Sequence, residues 1–347
     1  MHRLASQEPR LRQIATHQSN GIVSAAAEEQ KYGFLKGNTH IHTNGSDDSE
    51  TPVADAARWY EERGFDFVVV TDHNRVTVLR HNGKILVIPG VEMTKNVYLP
   101  EGPGRKYDAF AIHMNGYFIS EDRKGLVNDP PAKERTRVAM YEAEFDAIQK
   151  LGGVPCLNHP NFWYSADAVI LSRLANKGLK FFEVYNSADK SKNDGEPGRQ
   201  STEQLWDSVL STGTMLFGIV SDDTHHYYDA AKVASPRIGN LAWSMVRADE
   251  KTPASIKAAL IKGDFYGSTG VTLKRLEITD KAMEIEVAPQ AGRTYTIRFV
   301  GKNGKVLVEQ STTSARYEFK GDELYVRAVV VDSSQKKAWI QPKFIKP

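Results

Sequence analysis

Between residues 51 and 221, short apolar runs alternate with segments of helical spacing, and no other feature limits the possible folds as strongly. Phe65–Thr71 (FDFVVVT) and Ile85–Ile88 (ILVI) are rich in β-branched residues and read as buried strands. Asp108–His113, Val154–Asn158, Phe181–Tyr185 and Met215–Ser221 repeat the pattern. Between them, Thr51–Arg63 opens on Thr-Pro and carries Val53, Ala56, Ala57 and Tyr60 at helical spacing before Gly64. Lys133–Leu151 reads as a long helix stopped by Gly152-Gly153, and Asp167–Asn176 and Thr202–Leu210 as shorter ones. Strand and helix in alternation predict an α/β fold with a mainly parallel sheet, and this many units suggest a barrel. Near residue 275 the rhythm changes. Ala282–Ala288, Thr294–Val300, Lys305–Glu309, Ala315–Phe319, Glu323–Val331 and Lys337–Ile345 follow one another with turn-like GKNG, KGDE and DSSQ between them, and without helices. That predicts a small C-terminal β-sandwich. The expected organisation is a polar extension over residues 1–35, a barrel over 36–275 and the sandwich over 276–347. Asp189–Arg199 (DKSKNDGEPGR) is the most loop-like stretch and reads as a flap.

A chain of 347 residues, 40% hydrophobic, can bury one large core and a small second domain. Lys+Arg 45 against Asp+Glu 43 is close to balance, which gives no electrostatic case for nucleic acid or a membrane surface. The single cysteine excludes an internal disulfide and any cysteine-rich zinc site. Cys156 lies on an apolar run and is expected in the core. No apolar run reaches the ~18–20 residues needed to span a bilayer. The first residues lack the apolar centre of a signal peptide; a cytoplasmic chain fits, and so does an exported one whose leader has been removed.

The polar residues stand at the ends of the apolar strands. Lys36–Asp48 (KGNTHIHTNGSDD) holds His40 and His42 two apart, with Asp47 five beyond. On a strand, residues i and i+2 leave the same face, so both imidazoles point at one spot. Val70-Thr71-Asp72-His73-Asn74, Pro89-Gly90-Val91-Glu92, Ile112-His113, Leu157-Asn158-His159-Pro160-Asn161 and Ser221-Asp222-Asp223-Thr224-His225-His226 end the later strands. In an α/β barrel such ends share one face and converge. Burying so many ionisable groups without a cation costs several kcal/mol, about the price of a buried unpaired charge, which favours a metal site over structural histidines.

HIHTNGSDD, VTDHN, PGVE, the lone His113, NHPN and the D-x-H of Asp223-Thr224-His225 resemble, in order, the motifs of the PHP (polymerase and histidinol phosphatase) superfamily over roughly residues 36–275. KGNTHIHT with a β-rich tail is most similar to the stand-alone, carbaryl-hydrolase-like branch. The resemblance implies a distorted (β/α)7 barrel with two or three divalent metals (zinc, manganese or iron) and hydrolysis of phosphoesters. It implies that His40, His42, Glu92 and Asp223 ligate one metal, and that Glu92 bridges to a second held by His113 and His159. Asp47, His73 and His225 form a third site, and Glu92, Asp223 and His225 act in catalysis. Ser46-Asp47-Asp48 departs from the family's usual Ser-Asp-Gly, leaving Asp48 either as a further ligand or only as a change in the loop.

Two dications bridged by Glu92 are expected to lower the pKa of a shared water toward neutrality and supply hydroxide. Asp72 and Asp222, beside ligands, are expected to orient imidazoles or to bond backbone. Arg199 and Arg237, whose forked side chains suit phosphate, and Asn161 are candidates for substrate contact. The expected reaction is cleavage of a phosphomonoester or phosphodiester of a small molecule. An apolar pocket around Phe162, Trp163 and Tyr164 would instead favour a neutral carboxyl or carbamate ester. A non-catalytic metal-binding or scaffold module is the alternative of another class, and nucleic acid beyond short oligonucleotides is disfavoured.

Overall fold

The computed structural model describes residues 33–80, 83–99, 108–227 and 238–345. Up to position 32, the expected extension lies outside them; the first strand begins at Phe34. The elements are, in order, β1 (Phe34–Ile41), α1 (Val53–Glu61), β2 (Phe67–Val70), β3 (Arg75–Val76), β4 (Leu86–Pro89), β5 (Val91–Leu99), β6 (Asp108–Tyr117) and β7 (Gly125–Leu126). There follow α2 (Arg137–Lys150), β8 (Val154–Leu157), α3 (Ala168–Lys177), β9 (Phe181–Asn186), α4 (Thr202–Leu210), β10 (Phe217–Ser221), β11 (Trp243–Arg247), α5 (Pro253–Lys262) and β12 (Phe265–Ser268). The remainder is strands: β13 (Leu273–Ile278), β14 (Ala282–Val287), β15 (Tyr295–Gly301), β16 (Lys305–Ser311), β17 (Ser314–Glu318), β18 (Tyr325–Asp332) and β19 (Lys337–Phe344).

The chain is a mixed α/β protein with several sheets and few helices. One sheet runs β16-β15-β18-β19-β12-β11-β1-β2-β4 and another β10-β9-β8-β6-β5; smaller ones are β13-β14-β17 and β3-β7. The mainly parallel sheet expected from the alternation is met only in part. β1, β2 and β4 are parallel, as are β8, β9 and β10. β5 and β6 instead form an antiparallel ladder from Val91–Gly116 to Leu99–Asp108, and β6 is antiparallel to β8. Only residues 100–107 separate β5 from β6, too few for the dozen or so that a parallel crossover needs. β5 was invisible as a strand because VEMTKNVYL contains no apolar run; only its first three residues and Leu99 are buried.

The strand ends that matter meet where the two large sheets approach. Isolated bridges pair Ile41 with Thr224 and His73 with Glu92. Backbone bonds run from His42 N to Thr224 O (2.8 Å), Asp223 N to His40 O (3.0 Å) and Glu92 N to Asp72 O (3.1 Å). Phe67, Ile88, Tyr117, Cys156, Phe181 and Ile219, from strands of both sheets, share one apolar cluster. Each such fully buried side chain contributes about 1.5–3 kcal/mol relative to exposure. α2, α3 and α4 cover the outer face through Phe145, Leu171 and Trp206.

Beyond residue 275, β13-β14-β17 and the β15–β19 strands share a second cluster that includes Met283, Ile285, Phe299, Tyr317 and Val330. β19 also pairs with β12 (Tyr266–Ile340, Gly267–Trp339), so strands on both sides of that position belong to one sheet. Among the described residues no helix is long and apolar enough to cross a membrane.

Candidate metal centre

His40 and His42 leave the end of β1 fully buried, on one face, with ring centroids 5.1 Å apart. The loop that follows folds back onto Asp72, which accepts from Thr43 N (2.6 Å) and Thr43 Oγ1 (2.7 Å). A Cβ on Gly45 would lie 2.1 Å from Asp72 Oδ2, so only glycine permits this seat. The fold-back carries Ser46 and Asp48 to the histidines. Gly90 plays the same part at the β4–β5 corner, where a Cβ would stand 2.8 Å from Gly116 O. That close approach sets Glu92 at the centre.

Three groups of side chains result, the ligand atoms within each lying within 4.8 Å of one another: His40, His42 and Asp223; Glu92, His113 and His159; and His42, Asp48, His73 and His225. Glu92 lies between them. Its Oε2 is 3.6 Å from His40 Nε2, 3.4 Å from His42 Nε2 and 2.8 Å from His73 Nδ1. Its Oε1 is 3.1 Å from His113 Nδ1 and 3.5 Å from His159 Nε2. Asp223 Oδ1 is 3.3 Å from the Nε2 atoms of both His40 and His42.

The outer partners select which ring nitrogen faces inward. His40 Nδ1 is 2.7 Å from Glu183 Oε1, and His225 Nδ1 is 3.0 Å from the carbonyl of Asp223. A proton on Nδ1 in each leaves the Nε2 lone pair free, a tautomer inferred from the partners. His42 Nδ1 lies 3.1 Å from Ser46 Oγ. Asn158 Nδ2 donates to Glu92 Oε1 (2.8 Å). Glu92 Oε2, His113 Nδ1 and His225 Nε2 are buried without a hydrogen bond, although carboxylates or imidazoles stand within ion-pair range. Donor atoms left in this state fit cations.

Electrostatics agree with that fit. Burial favours the neutral acid at Glu92, yet His73, His113 and His40 hold its carboxyl well below the usual range. Burial likewise opposes charge on Asp223, and His40, His42 and His225 overcome it. At His73 burial disfavours the charged ring, but Glu92 and Asp48 push it up to about 10. His42 is lowered by burial and by its neighbours His225 and His73. The carboxylates thus favour positive charge in this space, on an imidazole or on a bound cation alike.

Most of the residues singled out in the sequence come together, but not all. Asp47 lines the cavity and belongs to none of the three groups; Asp48, which the departure from Ser-Asp-Gly had flagged, stands 3.0 Å from His225 Nε2 and 3.5 Å from His73 Nε2. Arg199 lies away from the groups, its guanidinium 4.7 Å from the Tyr164 ring centroid. Asn161 spends its amide on the carbonyls of Lys192 and Gln200 (both 3.0 Å), tethering the loop expected to be a flap. Arg237 lies outside the described residues. Among the described residues Asp72 and Asp222 bind no imidazole. Asp222 accepts from the backbone of Asn240, Leu241 and Ala242 at 2.7–2.8 Å, and from Tyr60 and Asn38. Glu183 was missed: it sits inside the apolar run FFEVYN, where a lone carboxylate on a buried strand was the available signal.

The groups open into a cavity of about 570 Å³ whose walls include Arg75, Leu126, Phe162, Trp163 and Lys190. No family model and no curated protein matches this sequence. Among solved structures, a two-domain protein of Bacteroides vulgatus ATCC 8482 containing a predicted PHP-like metal-dependent phosphoesterase is similar at 17% identity and a TM-score of 0.45, over 87% of this chain and 91% of that one. An endonuclease/exonuclease/phosphatase of Beutenbergia cavernae DSM 12333 is similar at 11% identity and a TM-score of 0.23, over 90% of this chain and 100% of that one. The narrower likeness to carbaryl-hydrolase-like proteins has no counterpart in these comparisons.

Proposed function

We propose that this chain is a metal-dependent hydrolase of small-molecule phosphate esters. One observation carries the reading: six imidazoles, Glu92, Asp223 and Asp48 form three contiguous groups, and Glu92 Oε2, His113 Nδ1 and His225 Nε2 within them are buried without a hydrogen bond. A set rich in imidazole and carboxylate suits zinc, manganese or iron. In this reading His40, His42 and Asp223 hold one cation, and Glu92 with His113 and His159 a second. Asp48, His73 and His225 take a third, with Asp48 in the place first given to Asp47. Glu92 turns one oxygen to each side and serves as the bridge. The two sheets, joined through the Ile41–Thr224 and His73–Glu92 bridges, are read as the distorted barrel expected from the motifs.

Bound divalent cations would acidify a water and polarise a phosphoryl oxygen. The chain's own contribution is position. Glu183 and the Asp223 carbonyl lock two imidazoles, Asn158 holds Glu92, and the buried floor excludes bulk water. The expected class is a phosphomonoester or phosphodiester, since an anionic ester gains most from concentrated positive charge. A neutral carboxyl or carbamate ester is the second reading, favoured by Phe162 and Trp163 on the cavity wall. A scaffold that only binds metal is disfavoured because no ligand position is blank.

Glu92→Ala is expected to lose metal and turnover together, measured by metal analysis of the purified protein and by assays on matched phosphate and carboxyl esters. Parent-level metal with parent-level turnover in that variant would overturn the assignment. Faster cleavage of the carboxyl ester by the parent would reverse the ranking of substrates.

A further inference from the structure

Two separate parts of the chain that line the candidate metal cavity each carry a cation and a large apolar side chain. One wall is the small β3–β7 hairpin, where Arg75 and Leu126 are cross-strand partners. Side chains directly opposite one another on such a ladder share a face. Both line the cavity, and Leu126 is 75% exposed. The other wall is built from the loops after β8 and β9, and there Trp163, 43% exposed, and Lys190 line the same space. Neither the Arg75 guanidinium nor the Lys190 ammonium has a hydrogen-bond or ion-pair partner among the described residues. Arg199, the cation favoured from sequence, is engaged with Tyr164 instead.

The aromatic side of this arrangement runs outward from the metal groups. Phe162 lies 5.1 Å from the ring of His159, and Trp163 stacks on Phe162 at 5.1 Å and 18°. Trp163 and Tyr164 both hold left-handed backbone, φ 52° and 51°, a conformation that side chains with a Cβ adopt at a cost. Ser165 secures the turn, donating to Phe162 O (2.7 Å) and accepting from Ala111 N (2.8 Å). The turn holds a large indole stacked on Phe162 yet 43% exposed, beside a cavity rich in imidazole and carboxylate. Asp47 and Asp189 also line the cavity, but both are exposed and solvated.

We infer that the site selects phosphate monoesters with a planar or apolar leaving group: Arg75 and Lys190 receive the anionic head beside the cations, and Trp163 and Leu126 grip the body. The inference rests on the phosphoesterase reading for the head group. The apolar grip has its own readout.

Calorimetry on the metal-loaded protein compares methylphosphonate with naphthylmethylphosphonate, two anions that cannot be hydrolysed. The parent is expected to bind the naphthyl compound about tenfold more tightly, as for an added apolar group in a fitted pocket. Trp163→Ala and Leu126→Ala each shrink that ratio several-fold, and Trp163→Phe restores most of it. Arg75→Gln combined with Lys190→Gln weakens both phosphonates by about tenfold through the lost charge. Equal binding of the two phosphonates by the parent, or a ratio untouched by Trp163→Ala, overturns the proposal. Hydrolysis of naphthyl phosphate and glycerol phosphate separates the two layers. If the phosphonate ratio holds but neither ester is cleaved, the grip stands and the phosphoesterase reading falls. If both esters are cleaved with the same kcat/KM, the chemistry stands and the grip falls.

Discussion

Glu183 concentrates several demands on one carboxylate. It is fully buried, takes His40 Nδ1 at 2.7 Å and Ser221 Oγ at 2.5 Å on one oxygen, and receives His159 N (2.8 Å) and Asn186 Nδ2 (2.9 Å) on the other. Burial alone would favour the neutral acid, but His40 pulls its carboxyl below the usual range. One residue therefore orients a ligand of the first group and the backbone of a ligand of the second. Glu183→Gln keeps the shape but removes the charge that holds the His40 proton and turns a donating NH2 toward groups that themselves donate. Metal affinity is expected to fall about 10–100-fold, as for the loss of an outer partner of a metal-bound histidine. Competition with a chelator reads this directly, and an unchanged affinity would reduce Glu183 to a structural residue.

Among the elements, the β5–β6 hairpin makes the largest departure from regular alternation, and it also delivers Glu92 and His113. Its entry depends on Gly90. The atoms nearest a Cβ there include two backbone oxygens, of Gly116 at 2.8 Å and Val70 at 3.0 Å, which cannot swing aside. Gly90→Ala is thus expected to push β5 outward, at about 1–3 kcal/mol of stability as for other overpacked sites. Because Glu92 follows two residues later, metal content should drop in the protein that remains folded. Denaturant unfolding and metal analysis test both halves. Full metal occupancy in that variant would mean that Glu92 tolerates a displaced strand.

At the scale of the molecule, the strands after residue 275 are joined to the rest by polar groups as well as by the β12–β19 ladder. Arg327 on β18 grips Asp207 of α4 with two bonds of 2.7 Å, Tyr325 donates to the same carboxylate (2.8 Å), and Glu203 stands 3.5 Å from Arg327. Gln341 bonds the backbone of Gly218 at 2.9 and 2.8 Å. Arg327→Met leaves the buried Asp207 carboxylate without its cation and with only the Tyr325 hydroxyl, and is expected to cost about 3–5 kcal/mol, while Asp207→Leu with Arg327→Met recovers part of that loss. Chemical denaturation of the three proteins provides the comparison. None of the three ligand groups draws on these strands, so turnover per folded molecule should hold. A fall in turnover without a fall in stability would give the C-terminal strands a part in the chemistry.

The sequence alone carried most of the residues of the candidate metal groups and the periodicities that make the elements. Chemistry at a strand end needs particular side chains, and HIHT, VTDH, PGVE and NHPN display them regardless of distance along the chain. Most of the strands and helices were legible as well, because burial imposes its period of two or of 3.6 residues locally. What depends on which segments meet was not legible. The antiparallel turn of β5 onto β6, the choice of Asp48 over Asp47 in the third group, and the diversion of Arg199 to Tyr164 are set by contacts between residues far apart in sequence. The same holds for Glu183, Arg75 and Lys190. A carboxylate in an apolar run and two ordinary cations become informative only when the fold leaves the first beside His40 and the others on the cavity wall without partners among the described residues. Side-chain chemistry is written residue by residue, whereas burial, pairing and vacancy are properties of the packed chain.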